Sequence, residues 1–307
     1  MKARNWHLVA LALCICPALV AQTAPAGKPE PEEPDFAFVS GSAYTQVKKS
    51  VQFIHQTGFA TRRITDLLGP GNDDAFLFFQ RVEYGITDRW ELDFVLPAAG
   101  SRTRRGGATV TSDFGLSDGI VGARYRLLDE EKAPVTLTMG PQILFPSGSV
   151  RKGTGFGGTG FAWDVAVSKD WGGPVFLYNT FNYHVIPSAE DSTSGSSQRF
   201  ALHGATWATA LGLRPMERPK KDGSKHDIHA FLEAGGNWQQ SVEPGAATGM
   251  RVGELTWVFA PGIRYGYITP KKTLVEIGVS APIGLGPNGP KRGFIIQFQF
   301  ERLFGAQ

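Results

Sequence analysis

The chain has 307 residues, and 31 Lys and Arg against 28 Asp and Glu leave a formal net charge of +3, with no single-sign field of the kind that nucleic acid selects. Its 38 glycines and 21 phenylalanines suit many strands joined by turns, and both cysteines, Cys14 and Cys16, fall in one apolar run near the start, which excludes a disulfide framework further on. No stretch reaches the ~18 consecutive apolar residues of a transmembrane helix, so a helical membrane protein is excluded.

Residues 1–21 read as a secretory signal peptide: "MKARNWH" supplies Lys2 and Arg4, "LVALALCICPALV" is an apolar run of 13, and Ala21 or Ala26 can precede a cleavage point. The run is shorter than the roughly 20 residues of a membrane anchor. Leu13 and Ile15 stand directly before the cysteines, where a lipid-modified cysteine would need a small residue. Residues 22–42 form a Pro- and Glu-rich lead-in that begins "QTAPAGKPEPEEPD" and is expected to be extended or disordered.

Residues 43–307 read as an all-β domain. Segments of about ten residues, each bounded by Gly, Pro, Asn or Asp, recur at 50–62, 75–84, 90–96, 118–128, 135–145, 160–169, 175–185, 200–213, 227–238, 255–267, 273–281 and 293–304. The count, twelve, is even, so both ends of the domain fall on one side. The connections alternate between long ones ("ITDLLGPGNDD", "PAAGSRTRRGGATVTSDFGLS", "PSGSVRKGTGFGGT") and short ones ("GITDR", "DEEKAP", "DWGGP", "ITPKK"). Only the return after Leu213, "RPMERPKKDGSKH", is longer than that scheme. Long loops at one end and short turns at the other are the asymmetry of an outer-membrane barrel.

Within segments the alternation has a period of two. Trp90, Leu92, Phe94 and Leu96 alternate with Glu91, Asp93 and Val95, and Phe294, Ile296, Phe298 and Phe300 alternate with Gln297, Gln299 and Glu301. In a bilayer the large apolar side chains turn out to lipid and the charges turn in, to a wet or paired lumen. Aromatics such as Tyr84, Trp90, Tyr125, Trp163, Trp171, Tyr183, Tyr265 and Tyr267 lie near segment ends, where an interfacial girdle would place them. The expected fold is an antiparallel transmembrane β-barrel of about 12 strands. The final aromatic strand with Phe304 is much like the terminal signal read by the barrel-assembly machinery, although Gly305, Ala306 and Gln307 follow it.

Three stretches, "AYTQVKKSVQF", "YGITDRWELDFVLP" and "GLSDGIVGARYRLL", resemble the opening strands of the outer-membrane proteins named for the meta-cleavage (MetA) pathway of phenol degradation. The likeness covers about the first third of the chain, and Val47, Lys48 and Lys49 stand where that family would have Pro-x-Gly. It implies a passive transporter or channel for a small solute, aromatic or hydrophobic compounds among them, and no catalytic motif.

Alternation sends inward Arg81, Glu83, Glu91, Asp93, Arg124, Arg126, Asp164, Glu233, Arg264, Glu276 and Glu301. Such groups must be paired or hydrated. They either line a narrow passage or fill a closed barrel with ion pairs, and the closed form would suit a structural or adhesive role. A twelve-stranded lumen lies between the filled interior of eight strands and the open channel of sixteen, so a constriction by a loop or by the lead-in is expected.

Other motifs carry less. "GTGFGG" lacks the helix N-terminus that would hold a phosphate. His226 and His229 face opposite sides of a strand, so no metal site and no cofactor is expected. Ser168 and Ser280 are the candidates for a barrel-embedded lipid hydrolase, with no spacing to support one. Arg102, Arg104, Arg105, Arg151 and Lys152 lie in the long loops, where lipopolysaccharide would attract them.

Overall fold

A computed structural model describes residues 37–66, 69–190, 199–242, 251–271, 273–286 and 291–303. The signal-peptide segment, most of the lead-in and Phe304 lie outside the described residues.

The wall is made of β1 (Ser50–Asp66), β2 (Gly69–Gly85), β3 (Trp90–Arg105), β4 (Ala108–Leu116), β5 (Gly119–Leu128), β6 (Thr136–Phe145), β7 (Gly160–Asp170), β8 (Val175–Glu190), β9 (Arg199–Pro219), β10 (Lys225–Val242), β11 (Arg251–Ile268), β12 (Thr273–Ser280), β13 (Ile283–Gly284) and β14 (Arg292–Leu303). All pairings are antiparallel, and the sheet closes because β1 pairs β14 while β10 pairs β11. Twelve staves result. β4 and β5 lie end to end against β3, and β12 and β13 lie end to end against β11.

The closed twelve-stranded barrel is the fold expected from the alternation, and closure leaves no edge strand to blunt. Two connections differ from the sequence-based expectation. The stretch read as one long loop after Leu96 is a β-hairpin: β3 runs to Arg105 and turns through Gly106 and Gly107, with φ of 53° and 85°, into β4. Two left-handed residues are what a two-residue hairpin turn requires. The overlong return after Leu213 is also mostly strand, since β9 continues to Pro219 and β10 begins at Lys225. Their tips are mostly polar, Arg102 to Thr109 in one and Glu217 to Lys225 in the other, so apolar alternation could not reveal them.

The two faces separate as the alternation implies. Phe94, Ile277 and Phe294 stand on the outside at 46%, 55% and 48% exposure, while Glu91, Gln297 and Gln299 on the inside are at 1% or less. A row that includes Tyr84, Trp90 and Tyr125 rims the short-turn end, with the Trp90 and Tyr125 rings 4.8 Å apart. A membrane core needs only about 9–11 residues of tilted strand. At 16 to 21 residues, β8 to β11 therefore project beyond it.

Candidate functional site

Residues 37–49 do not join the wall. They enter the lumen beside β1, and Ala37, Phe38, Ser40, Ala43, Tyr44 and Gln46 are all buried there. The reversal into β1 is made at Lys49, whose φ of 65° is left-handed. Lys49 N–H donates to Gly85 O at 2.8 Å, and Ser50 N–H to Val47 O at 2.9 Å. A glycine at the end of Pro-x-Gly would take this conformation without steric cost. Lys49 takes it with such a cost.

The segment packs through its aromatics. Phe38 meets Phe231 edge-on at 5.9 Å and Tyr44 meets Tyr178 edge-on at 6.3 Å. Phe176 and Ala210 complete the cluster. Space for the Phe38 ring exists because the wall is bare behind it: a Cβ on Gly278 would lie 2.7 Å from the ring, and Gly262 is closer still.

Its backbone is satisfied by the wall. Glu233 accepts the N–H of Phe38 at 2.9 Å and those of Val39 and Ser40 at 2.8 Å. Glu91 accepts the N–H of Gln46 at 2.6 Å, and Arg124 donates to Ser42 O at 2.5 Å. Ala43 N–H donates to Ser168 Oγ at 2.7 Å, and Ala43 O accepts from Thr138. Arg126 donates to Thr45 Oγ1 at 2.9 Å and to Asp88 O at 2.9 Å. Without these partners the buried backbone groups of a non-strand segment would each cost more than a kilocalorie. Residues 37–49 are a plug whose binding site is built of wall charges.

The eleven inward charges fall into groups. Arg81, Glu83, Glu91, Asp93, Arg124 and Asp164 form one network: Arg81 reaches Glu83 at 2.7 Å and Asp93 at 3.0 Å, and Arg124 reaches Glu91 at 3.2 Å and Asp164 at 3.5 Å. The carboxylates of Glu83, Glu91 and Asp93 come within 4.8 Å of one another, which the two guanidiniums offset. Arg126 stands apart from them near the short-turn end, paired with Asp129 at 3.2 Å. On the β10 to β14 side Arg264 contacts Glu276 at 3.2 Å and lies 4.9 Å over the Phe231 ring. Glu233 holds the plug, and Glu301 is buried in register between Gln52 and Leu274.

Several lumen groups were not singled out by alternation. His229 contacts Asp227 at 3.1 Å and shares a hydrogen bond with Arg264 at 3.1 Å, while His226 turns to the outside and meets the Tyr265 hydroxyl at 2.6 Å. The two histidines do face opposite ways. Gln46 binds Gln52 at 3.0 Å and Glu83 at 3.1 Å. Ser168 and Ser280 both point inward, Ser280 Oγ donating to Pro261 O at 2.9 Å, so neither stands at the lipid boundary.

Beyond the plug, toward the long loops, the lumen has two unlike walls. On β6 to β10, Asn182 donates to Gln142 at 2.9 Å, His184 shares a hydrogen bond with Gln239 at 2.8 Å, and Thr206 and Asn237 are exposed. Leu77 and Ile295, in register with Gly58 on β2 and β14, supply an apolar wall, Leu77 remaining 41% exposed. The connection after β6 bends inward at its tip, where Phe156 packs on Ile186 and Leu202 and Asp118 accepts its N–H at 2.8 Å. Of the loop cations, Arg102 and Arg104 are committed to Asp74 at 3.0 and 2.9 Å, Lys152 donates to Phe114 O at 3.1 Å, and Arg151 is exposed.

No protein-family model and no curated protein matches the chain. Solved structures do. An outer membrane channel from Pseudomonas putida F1 superposes with a TM-score of 0.59 at 16% identity, covering 89% of this chain and 100% of that one. The beta domain of the Bordetella autotransporter BrkA superposes at 0.50 and 10% identity, covering 84% of this chain and 100% of its own. The fold is therefore that of the closed outer-membrane barrels.

Proposed function

We propose that the chain is an outer-membrane channel that lets a small, uncharged solute cross passively, and that residues 37–49 are its gate. The observation that carries this is the way the plug is held: its backbone is bound by side chains of the wall rather than paired as a strand, so it can leave without breaking the barrel's ladder. The amide and imidazole groups of the outer lumen face an apolar wall, a lining that suits solutes with one apolar and one hydrogen-bonding face, aromatic compounds among them. The resemblance of the opening strands to the phenol-degradation family agrees with that solute class.

In this reading residues 1–21 export the chain, the assembly machinery inserts it, and the long loops face outward toward lipopolysaccharide, with Arg151 the freest of the loop cations there. The short-turn end faces the periplasm. No step of chemistry is assigned to any residue.

Single-channel conductance in a planar bilayer, with Arg124→Ala and Glu301→Gln beside the wild type, tests the proposal. Openings whose ion selectivity shifts with those changes support a lined passage. A second reading, a barrel sealed by ion pairs with a structural role, draws on the four ion pairs made by Arg81 and Arg124. A folded, silent protein that stays silent after residues 37–46 are removed would favour it.

A further inference from the structure

The outer wall at the short-turn end carries a feature that the channel reading does not use. β9 runs past β8, whose pairing with it ends at Val175 and Leu213, while β10 and β11 stay paired as far as Lys225 and Ile268, and the outward side chains of β9, β10 and β11 form successive rows set by register. Arg218, His226 and Tyr267 make the row nearest the turn, followed by Met216, Ile228 and Tyr265. Next come Leu213, Ala230 and Ile263, then Leu211, Leu232 and Pro261. Rows lie two residues apart, about 6.6 Å along a strand. Polarity therefore falls from cation and imidazole through phenol to aliphatic over roughly 20 Å.

Between the second and third rows the register shifts at Ile228 and Ala230, so that β9 carries an extra residue. A bulge increases local twist and re-aims side chains. Here a groove of about 620 Å³ accompanies it, lined by Met216, Arg218, Lys220, His226 and Tyr265 together with Glu217 and Pro219. Glu217 is bound to Lys225 at 2.6 Å, and Asp222 is held by the Ser224 hydroxyl at 2.7 Å and its N–H at 2.9 Å. Among the described residues neither Arg218 nor Lys220 is within ion-pair distance of a carboxylate, Lys220 acting on Asp222 only through a longer-range Coulomb attraction, and both are exposed.

We propose that this groove binds a glycerophospholipid of the periplasmic leaflet, its phosphate held by Arg218 and Lys220 and one acyl chain laid along Leu213, Ile263 and Leu232. The inference rests on the proposed orientation, in which the short-turn end faces the periplasm. Charge complementarity selects the phosphate: Arg218 stands level with Tyr267 and Lys220 just past that row, neither within ion-pair distance of a carboxylate, so both are at headgroup depth. The aliphatic rows, with Ile263 at 50% and Leu232 at 48% exposure, select a lipid over a free anion.

Native mass spectrometry of the full barrel released from micelles supplied with phosphatidylglycerol tests it, with Arg218→Ala/Lys220→Ala as the variant and Arg151→Ala as a control. One retained phospholipid is expected, with retention falling by about tenfold or more in the double variant and unchanged in the control. Addition of inorganic phosphate or lipopolysaccharide should displace little of it, and diacylglycerol, which lacks the phosphate, should not be retained. Equal retention in wild type and double variant, equal retention of diacylglycerol, or displacement by inorganic phosphate at comparable concentration overturns the proposal. Conductance measured on the same samples separates the two readings. Channels that open normally while lipid retention ignores Arg218 and Lys220 leave the channel reading standing, whereas lipid retention by a barrel that never conducts removes the channel and keeps the lipid site.

Discussion

Glu233 and Ser40 are 193 residues apart in sequence and meet at 2.8 Å, the carboxylate accepting a backbone N–H inside the barrel. The same carboxylate takes the N–H groups of Phe38 and Val39, so one side chain gathers three consecutive donors of the plug. Protein hydrogen bonds contribute about 0.5–1.5 kcal/mol each, and three of them converge on this one side chain.

Replacing that carboxylate should free the plug. Glu233→Ala removes the acceptor for three donors, and release of the segment into water is the relaxation available. Conductance in planar bilayers should rise and become more open-dwelling, approaching that of a chain lacking residues 37–46. Wild-type conductance in Glu233→Ala would show that the gate lies elsewhere.

A tether should do the opposite. Cys14 and Cys16 are the only cysteines in the sequence, so Ala43→Cys and Ser168→Cys, at positions that touch through a 2.7 Å hydrogen bond, can be joined by a short bis-maleimide that alkylates both thiols, without interference from the rest of the barrel. Cross-linking should lower conductance to near zero if passage requires the plug to move. Persisting conductance would mean that solute passes around it.

Arg124 ties the network to the plug, pairing with Glu91 at 3.2 Å while donating to Ser42 O. Arg124→Ala strands buried carboxylates and should cost about 3–5 kcal/mol in urea unfolding from lipid vesicles. Arg124→Leu combined with Glu91→Leu should recover a good part of that loss, since a well-packed apolar pair avoids the desolvation penalty. A double change that costs as much as Arg124→Leu and Glu91→Leu measured singly and added together would argue against coupling between the two.

The two faces of the wall should respond differently to charge. Ile277→Arg, on the outside, should destabilise the barrel by about 2–4 kcal/mol if it sits near the bilayer midplane. Leu77→Arg, facing the open part of the lumen, should cost less than about 1 kcal/mol and shift ion selectivity toward anions instead. Similar costs at both positions would contradict the assignment of lipid and lumen faces.

Lys49→Gly is expected to be neutral or stabilising by up to about 1 kcal/mol, because relief of the left-handed strain is partly offset by the greater freedom of glycine in the unfolded chain. Thermal or urea midpoints in lipid would register the change. A loss of stability would mean that the Lys49 side chain, rather than its backbone angle, matters at this turn.

What could be known from the sequence was whatever repeats every two residues. Leu92 and Phe94 against Glu91 and Asp93 already assign lipid and lumen, because a wall between two solvents must alternate and each stave writes that alternation locally. The even strand count and the sorting of loops were legible for the same reason. The β3–β4 hairpin was not, since Arg102 to Thr111 project past the apolar band and need no apolar face, although Gly106 and Gly107 mark its turn. A constriction by the lead-in was an expectation of the sequence, but which residues fill the lumen and what holds them was not. "AFVSGSAYTQV" has no period, and its partners Glu233, Ser168 and Arg124 lie 82 to 195 residues away. A buried glutamate without an opposing cation at its own level, and bare glycines at 262 and 278 on neighbouring staves, were the available hints. Only closure of the barrel brings those positions around one axis, and only there do a carboxylate on β10 and three backbone donors of an unpaired segment find each other out of reach of water.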